Sequence, residues 1–352
     1  MKRNLIMIAL AGVLAVTSCN KMDNSANEGQ GGKVNVNFSL GMATKATSGI
    51  DDDAINTVYV FAFDGNRLDG SASITDANSG SIEVTPGQRR FIAVVNPNSE
   101  FTFNAVSTPA ALMALVSTLS EEGIADMVMI GENTLTITES TTNVPIDVTR
   151  LVSKISVSSL KFALTGANAG KTVCDVEVYI KNYPSTCKYD GTPGTSYTSG
   201  LLAGNKDTFE VCDSYGNIVS GSGAATGHQF FCYPRTTTTM ATDGNCIRLC
   251  VKGTIDGQDY YWSLPVNNGD TWKADAFKSS DTAHYGVARN HSYDYAITIT
   301  KAGIPGGTGD DNPENPGDGG DPADDHDLTT SELTYTLTVL PFVEVASQTV
   351  TF

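Results

Sequence analysis

The residue of this sequence that is best placed to react is Cys19, which follows Val16-Thr17-Ser18 at the end of an apolar run. The run extends from Leu5 to Val16 after the basic start Lys2-Arg3, and it is too short and too rich in small residues to span a membrane as a helix. Small residues before a cysteine are typical of bacterial lipoprotein signals, in which the thiol receives a lipid. The pattern therefore predicts a signal peptide over residues 1–18 and a lipid anchor on Cys19. An ordinary secretory signal with an unrelated cysteine is the alternative.

The remaining cysteines all lie in the second half of the chain, at Cys174, Cys187, Cys212, Cys232, Cys246 and Cys250. They form neither a Cys-x-x-Cys pair nor a Cys/His pattern with metal-ligand spacing. Six cysteines allow many disulfide pairings, and their spacing does not choose among them. Disulfides and buried free thiols are both open alternatives.

The sequence carries no motif that indicates catalysis. The four histidines form no His-Glu-x-x-His pattern, and neither a Gly-x-Ser-x-Gly elbow nor a Gly-rich phosphate loop is present. The short Gly221-Ser222-Gly223 lies in a low-complexity loop, which is typical of a flexible segment. We therefore predict that the chain is not an enzyme and has no catalytic residue, bound metal or cofactor.

The net charge of −17 argues against nucleic acid as a partner, because phosphate binding requires a basic surface. Many of the carboxylates lie in residues 302–330, an acidic segment rich in Gly and Pro. Such oxygens could bind calcium, but their spacing does not match an EF-hand loop and the Gly and Pro residues oppose a fixed cage. We therefore predict a solvated linker in this segment.

Most of the chain consists of short segments with the alternating pattern of β-strands. The first is Val34–Leu40, and the one helix predicted is Ala110–Leu119, with Thr108 as its N-cap. Ser81–Thr85 and Arg90–Val95 are predicted to pair around Pro86-Gly87. Further strands are predicted at Ile55–Phe63, Met127–Ile130, Leu135–Thr138, Val144–Val148, Arg150–Val157, Val173–Ile180, Gln229–Tyr233, Cys246–Ile255, Tyr260–Val266 and His291–Thr300.

This pattern predicts an all-β protein with two β-sandwich domains in series. The predicted N-terminal domain covers residues 34–148 and the predicted C-terminal domain covers residues 149–301. A polar spacer over residues 19–33 precedes them, and the acidic linker over residues 302–330 follows.

The chain ends with a predicted strand pair over residues 331–352, formed by Leu333–Val339 and Val343–Phe352. Leu333, Tyr335, Leu337 and Val339 share one face. Burying them would contribute roughly 6–12 kcal/mol, whereas ordering about ten residues costs on the order of 10–20 kcal/mol. The strand therefore needs a backbone ladder on both sides, which strand addition to a sheet can provide. It could join another molecule or fold back onto its own second domain.

Several local patterns resemble the Bacteroidales-type fimbrillin family, the major subunits of strand-exchange (type V) pili. They are Cys19 with its preceding residues, Val58–Asp64, Phe91–Asn96, Thr149–Ile155, Phe230–Pro234, Arg289–Tyr293 and Val339–Phe342. The resemblance implies an exported lipoprotein with two transthyretin-like β-sandwich domains. It also implies that a protease removes the first strand, and that the C-terminal strand of another subunit fills the groove left behind.

Carried over to this sequence, the removed strand is Val34–Leu40 and the cut lies between Lys45 and Ala46. The donor strand contains the four alternating residues above and Phe342, which stands where family members usually have Trp. Family members carry Arg at the cut, so Lys45 is a departure that leaves the protease unidentified.

The expected function is that of a structural fimbrial subunit at the cell surface, with a role in adhesion. The expected partners are other fimbrial subunits, the outer membrane through the lipid on Cys19 before maturation, and host or bacterial surface ligands. The alternative is a tip adhesin or a glycan-binding surface lipoprotein. Its support is four tyrosines in two long segments of the second half, Tyr183, Tyr189, Tyr197 and Tyr215.

Overall fold

The fold is described from a computed structural model, which covers residues 32–42, 54–75, 77–98, 101–199, 212–221, 224–225, 228–236, 246–267, 286–305 and 333–341. These residues form an all-β protein, as the alternation predicted. The first strands are β1 (Val34–Met42), β2 (Thr57–Asp64), β3 (Arg67–Thr75), β4 (Ser79–Val84), β5 (Gly87–Val95), β6 (Val116–Thr118), β7 (Met129–Ile137) and β8 (Asn143–Arg150). The helical segments are α1 (Pro109–Met113) and the 3-10 turns Phe103–Ala105, Leu119–Glu121, Ile124–Asp126 and Gly166–Asn168.

The later strands are β9 (Ser153–Phe162), β10 (Thr172–Pro184), β11 (Thr186–Lys188), β12 (Tyr197–Ser199), β13 (Cys212–Val219), β14 (Ala224–Ala225), β15 (His228–Cys232), β16 (Arg235–Thr236), β17 (Arg248–Ile255), β18 (Gln258–Pro265), β19 (Gly286–Val287), β20 (His291–Ile299), β21 (Ile304–Pro305) and β22 (Leu333–Pro341). No helix among the described residues is long and apolar enough to cross a membrane.

The first part of the chain, which contains β1 to β8, forms a seven-stranded sheet in the order β3-β2-β5-β7-β8-β1-β4. Its neighbours are antiparallel except for β1 and β8, which are parallel. The sheet curls until its two edge strands meet, and a Cβ atom on Gly70 of β3 would overlap the carbonyl oxygen of Glu83 on β4. The curl encloses an apolar cluster that includes Phe38, Val60 and Phe91.

The second part of the chain, which contains β9 to β22, has two larger sheets. One has the order β14-β9-β20-β22, with β15 also paired to β9, and the other has the order β12-β10-β17-β18-β21, with β13 also paired to β10. Buried side chains of both sheets, among them Tyr295 of β20 and Trp262 of β18, belong to one apolar cluster.

That cluster also reaches into the first part of the chain, because it includes Phe61 and Leu112. A two-stranded sheet joins the same parts, since β6 pairs with β11. The ring centroids of Phe101 and Tyr189 lie 6.3 Å apart across this junction. The division into two β-sandwich domains at residue 149 stays a prediction.

The predicted helix over Ala110–Leu119 is wrong in its extent. Its start is as expected, because the Thr108 side chain accepts a hydrogen bond from the Ala111 amide at 3.1 Å. The helix ends at Met113, however, and Val116–Thr118 form a strand instead. The β-branched residues Val116 and Thr118 are weak helix formers, and β11 offers them a backbone partner.

The predicted pairing of the strands around Pro86-Gly87 is also wrong. The preceding strand, β4, pairs with β1, and the following strand, β5, pairs with β2 and β7. Gly87 has a φ of +117°, which only glycine adopts readily, and the chain turns a corner there instead of forming a hairpin. Strand β3 was not predicted, because its apolar face alternates only weakly through Leu68, Gly70, Ala72 and Ile74.

Candidate functional site

Strand β1 occupies an internal position in the curled sheet, between β8 and β4. It runs parallel to β8 and antiparallel to β4, and Phe38 is opposite Val144 on one side and Gly80 on the other. Both edges of its backbone therefore take part in ladders. A strand at this position completes the sheet, and its removal would separate β8 from β4.

The side chains of β1 alternate strictly between the core and solvent. Val36 and Phe38 are fully buried and Leu40 is 7% exposed, whereas Asn35 and Asn37 face solvent. Full burial of such an apolar side chain contributes roughly 1.5–3 kcal/mol. Loss of β1 would thus leave an apolar groove with two unpaired backbone edges.

A glycine shapes the part of the groove that holds the Phe38 ring. A Cβ atom on Gly80 of β4 would lie 2.8 Å from Cζ of Phe38, which is closer than real side chains approach, and 3.0 Å from Cγ2 of Ile74, which is a tight contact. The absence of a side chain on Gly80 therefore makes room for an aromatic ring at this position of the incoming strand.

The C-terminal strand β22 lies against the second part of the same chain. It is antiparallel to β20, with Leu333 opposite Ile299 and Pro341 opposite His291. Within the described part of the chain, β20 is its only ladder partner. This arrangement is the fold-back that the sequence left open, and it leaves β22 at the edge of its sheet.

The other predicted site residues divide into those that the structure places and those that it does not. Cys19, Lys45, Ala46 and Phe342 lie outside the described residues, as does Val343–Phe352. The predicted donor residues from Leu333 to Val339 all belong to β22. The cleavage and lipidation sites therefore stay predictions.

Cys174, Cys187 and Cys232 are free thiols, and the last two are buried. Cys187 and Cys232 therefore follow the second alternative. Burial raises the pKa of the Cys187 thiol to about 12, with a smaller contribution from the negative charge of Glu122. No three His, Cys, Asp or Glu side chains of the described residues lie close enough together to hold a metal ion.

Two of the four tyrosines that supported a binding surface lie in the interior. Tyr183 and Tyr189 are only 4% and 1% exposed and belong to the large apolar cluster, and Tyr215 is partly buried. Tyr197 is 49% exposed, and the guanidinium of Arg235 lies 3.6 Å from the centre of its ring. Tyr183 and Tyr189 therefore give no support to a tyrosine binding surface.

One buried acid at the junction of the two parts, Glu122, was not predicted from the sequence. Its Oε1 accepts hydrogen bonds from the hydroxyls of Ser117, at 2.9 Å, and Tyr233, and its Oε2 accepts one from the Val128 amide at 3.2 Å. Burial raises the pKa of the Glu122 carboxyl to about 7, although all three hydrogen bonds oppose the shift. No periodicity or motif marks this residue, because its partners are distant in sequence.

Comparison with known proteins places these features in context. A family model described as "Fimbrillin-A associated anchor proteins Mfa1 and Mfa2" matches residues 22–312. A solved fimbrilin (FimA) from Porphyromonas gingivalis W83 is similar with a TM-score of 0.60 and 18% identity, over 89% of this chain and 98% of that one. The tip fimbrial protein Mfa3 from Porphyromonas gingivalis, truncated at its C-terminus, is similar with a TM-score of 0.50 and 12% identity, over 88% and 100%. No curated protein matches the sequence.

Proposed function

Because the chain belongs to the family of fimbrillin-A associated anchor proteins Mfa1 and Mfa2, we propose that it is a fimbrial subunit that polymerises by strand exchange. In this proposal a protease cuts after Lys45, β1 leaves, and the C-terminal strand of another subunit enters the groove. The observation that carries the proposal is the internal position of the first strand, with ladders to β8 and β4 and buried apolar side chains.

The connection that follows β1 supports the cut. Strand β1 ends at Met42 and β2 begins at Thr57, so a cut after Lys45 separates β1 from the rest of the sheet. The strand would then be held only by its ladders and its buried side chains. A competing strand could replace it without unfolding the remainder of the sheet.

The C-terminal strand supports the donor role by its length and by its place at a sheet edge. Strands β1 and β22 each have nine residues. In its own chain β22 has one ladder partner among the described strands, whereas the groove offers two. Each net backbone hydrogen bond contributes about 0.5–1.5 kcal/mol, so a second ladder favours the exchanged state.

The proposal includes the path of the protein to the surface. The precursor is exported with the signal peptide over residues 1–18, attached to the outer membrane through the lipid on Cys19, and released from that anchor by the cut after Lys45. The body of each subunit is then formed by the proposed domain over residues 149–301 and by the proposed domain over residues 34–148 without its removed first strand. The acidic linker over residues 302–330 lets the donor strand reach a neighbour.

Removal of residues 332–352 tests the donor role. We expect the truncated protein to be folded and to be cut by a trypsin-like protease, but to remain monomeric by electron microscopy and size-exclusion chromatography. The full chain treated in the same way should form filaments. Filaments from the truncated protein would show that these residues are not the donor.

A substitution at Lys45 tests the cut. We expect Lys45→Ala to keep the precursor intact and monomeric in the presence of a trypsin-like protease, because the bond that frees β1 is no longer cleaved. Lys33→Ala is the matched control, since Lys33 precedes β1 and a cut there would leave that strand attached. Normal filament assembly by Lys45→Ala would contradict the assigned cleavage site.

A further inference from the structure

Strand β4 depends on β1 to an unusual degree. Among the described strands, β4 forms a ladder only with β1, through six residue pairs from Val34 with Val84 to Ser39 with Ser79. Strand β8, on the other side of β1, is also paired with β7. Release of β1 would therefore leave β8 paired with β7 through its last three residues, 148–150, but would leave β4 without a ladder partner in that part of the chain. Yet β4 must stay in place if it is to form one wall of the groove.

A buried polar network holds the C-terminal end of β4 to the neighbouring strands. Oδ2 of Asp69, on β3, accepts hydrogen bonds from the Thr85 amide at 2.8 Å and from Nε of Arg89 at 2.9 Å. Oδ1 of Asp69 accepts a bond from the Thr85 hydroxyl at 3.0 Å. The side chains of Asp69 and Arg89 are only 3% and 7% exposed.

Arg89 extends the network to the corner between β4 and β5. Its guanidinium donates to the carbonyl oxygens of Pro86, at 3.0 Å, and Gln88, at 2.7 Å, and to the Thr85 hydroxyl. These bonds tie the residue that follows β4 to β3 on one side and to β5 on the other. None of them involves a residue of β1, so all of them can persist when β1 is absent.

The electrostatics of the network suit a permanent contact. Burial by itself would raise the pKa of Asp69, but the hydrogen bonds from the Thr85 amide and the Arg89 guanidinium more than offset it and hold the pKa below its ordinary value. Asp69 is therefore ionised at neutral pH, and a hydrogen bond to an ionised group is stronger than one between neutral groups.

We propose that Asp69, Thr85 and Arg89 form a clamp that keeps β4 in place as a wall of the groove after β1 has left, so that a strand of a second copy of this chain can enter. This inference rests on the proposed function, because it requires the release of β1. Before release, the ladder between β1 and β4 performs the same task and the clamp is dispensable. The clamp residues are thus positioning residues for strand entry.

The test separates the stability of the uncut protein from the ability of the cut protein to accept a strand. A fluorescent peptide of residues 331–352, in excess, is added to the protein after treatment with a trypsin-like protease, and binding is measured by anisotropy. We expect Asp69→Asn to weaken binding by about ten-fold or more, because the amide carries no charge to pair with Arg89 and its NH2 group cannot accept from the Thr85 hydroxyl. The uncut variant should stay folded at a lower urea midpoint, because Arg89 loses its buried carboxylate partner while the ladder with β1 still holds β4 in place.

Glu132→Gln is the matched control, because it removes an exposed carboxylate from an ion pair with Arg90 that does not touch β4. This variant should bind the peptide as the unmodified protein does. Thr85→Val keeps the backbone bond to Asp69 and removes only the hydroxyl, so it should weaken binding less than Asp69→Asn.

Each other outcome contradicts a defined part of the argument. Equal peptide binding by Asp69→Asn and the unmodified cut protein would overturn the clamp alone. An uncut Asp69→Asn protein that fails to fold would also overturn it, because the clamp would then be needed before release. Failure of the unmodified cut protein to bind the peptide would contradict strand exchange itself, and the clamp with it.

Discussion

At the scale of single residues, Glu122 is fully buried, and its carboxyl is surrounded by hydrogen-bond donors and a second acidic residue. Three hydrogen-bond donors face its carboxyl from Ser117, Tyr233 and the Val128 amide, and the charge of Asp126 acts against its ionisation. The thiol of Cys187 is another titratable group close enough to interact with it. Tyr233 belongs to the second part of the chain and the other hydrogen-bond partners belong to the first. The protonation of Glu122 is thus coupled to the contact between the two parts.

This environment predicts a pH-dependent stability. The pKa of Glu122 is about 7 in the folded protein and close to its ordinary value of 4.5 when unfolded. The folded state therefore binds the extra proton between these values, and the free energy of unfolding falls as the pH rises through this window. By pH 8 the protonation of Glu122 no longer stabilises the fold, and the free energy of unfolding has fallen by ~3 kcal/mol, because one pKa unit corresponds to ~1.4 kcal/mol.

Urea unfolding at pH 5 and pH 8 checks this expectation. Glu122→Gln cannot ionise, so its unfolding free energy should lack this component and change less between the two pH values. Glu139→Gln, at an exposed position, should retain the pH dependence of the unmodified protein. An unchanged pH dependence in Glu122→Gln would refute the assignment.

At the scale of elements, β1 stabilises the precursor but is absent from the proposed filament, and a single substitution can distinguish the two states. In the precursor its Phe38 ring fills the space above Gly80, and truncation of a buried Phe to Ala costs about 3–5 kcal/mol. After maturation the strand is absent, according to the proposed function. The same substitution should then have no effect on the assembled filament.

We therefore expect Phe38→Ala to lower the unfolding free energy of the uncut protein by about 3–5 kcal/mol and to leave the thermal stability of cut, assembled filaments unchanged. Urea unfolding of the precursor and calorimetry of the filaments measure the two quantities. Asn37→Ala, one residue away and exposed to solvent, is the control and should change neither. Filaments destabilised by Phe38→Ala would indicate that β1 is retained in them.

At the scale of the whole molecule, one apolar cluster extends through both parts of the chain. It contains Phe61 from the first part and Trp262 from the second, and the β6–β11 sheet adds a backbone connection. A separate cluster, which includes Phe91, lies within the curled sheet of the first part. Because the shared cluster links the parts, unfolding of one part should expose apolar surface of the other part.

This continuity predicts that the two parts unfold together. Trp262 is buried in the second part, so its fluorescence reports on that part. We expect Phe91→Ala to lower the urea midpoint of the fluorescence transition as much as that of the circular-dichroism transition. A fluorescence midpoint that stays unchanged while the other falls would show that the parts unfold independently.

The sequence alone determined most of the local structure. Alternation identified β1, β2 and β20, and Thr108 identified a helix start. These features depend on interactions between residues that are close in sequence, so their signals are local. The all-β class followed from them, and it is confirmed.

The tertiary structure alone decided which of these elements meet. It placed β4 beside β1 instead of β5, shortened the predicted helix where β11 offered a partner, and returned β22 to β20. It also brought Tyr233 to Glu122, and Asp69 to Arg89. Strand pairing and buried polar contacts depend on groups that are distant along the chain. The alternation within one strand does not indicate which other strand it pairs with.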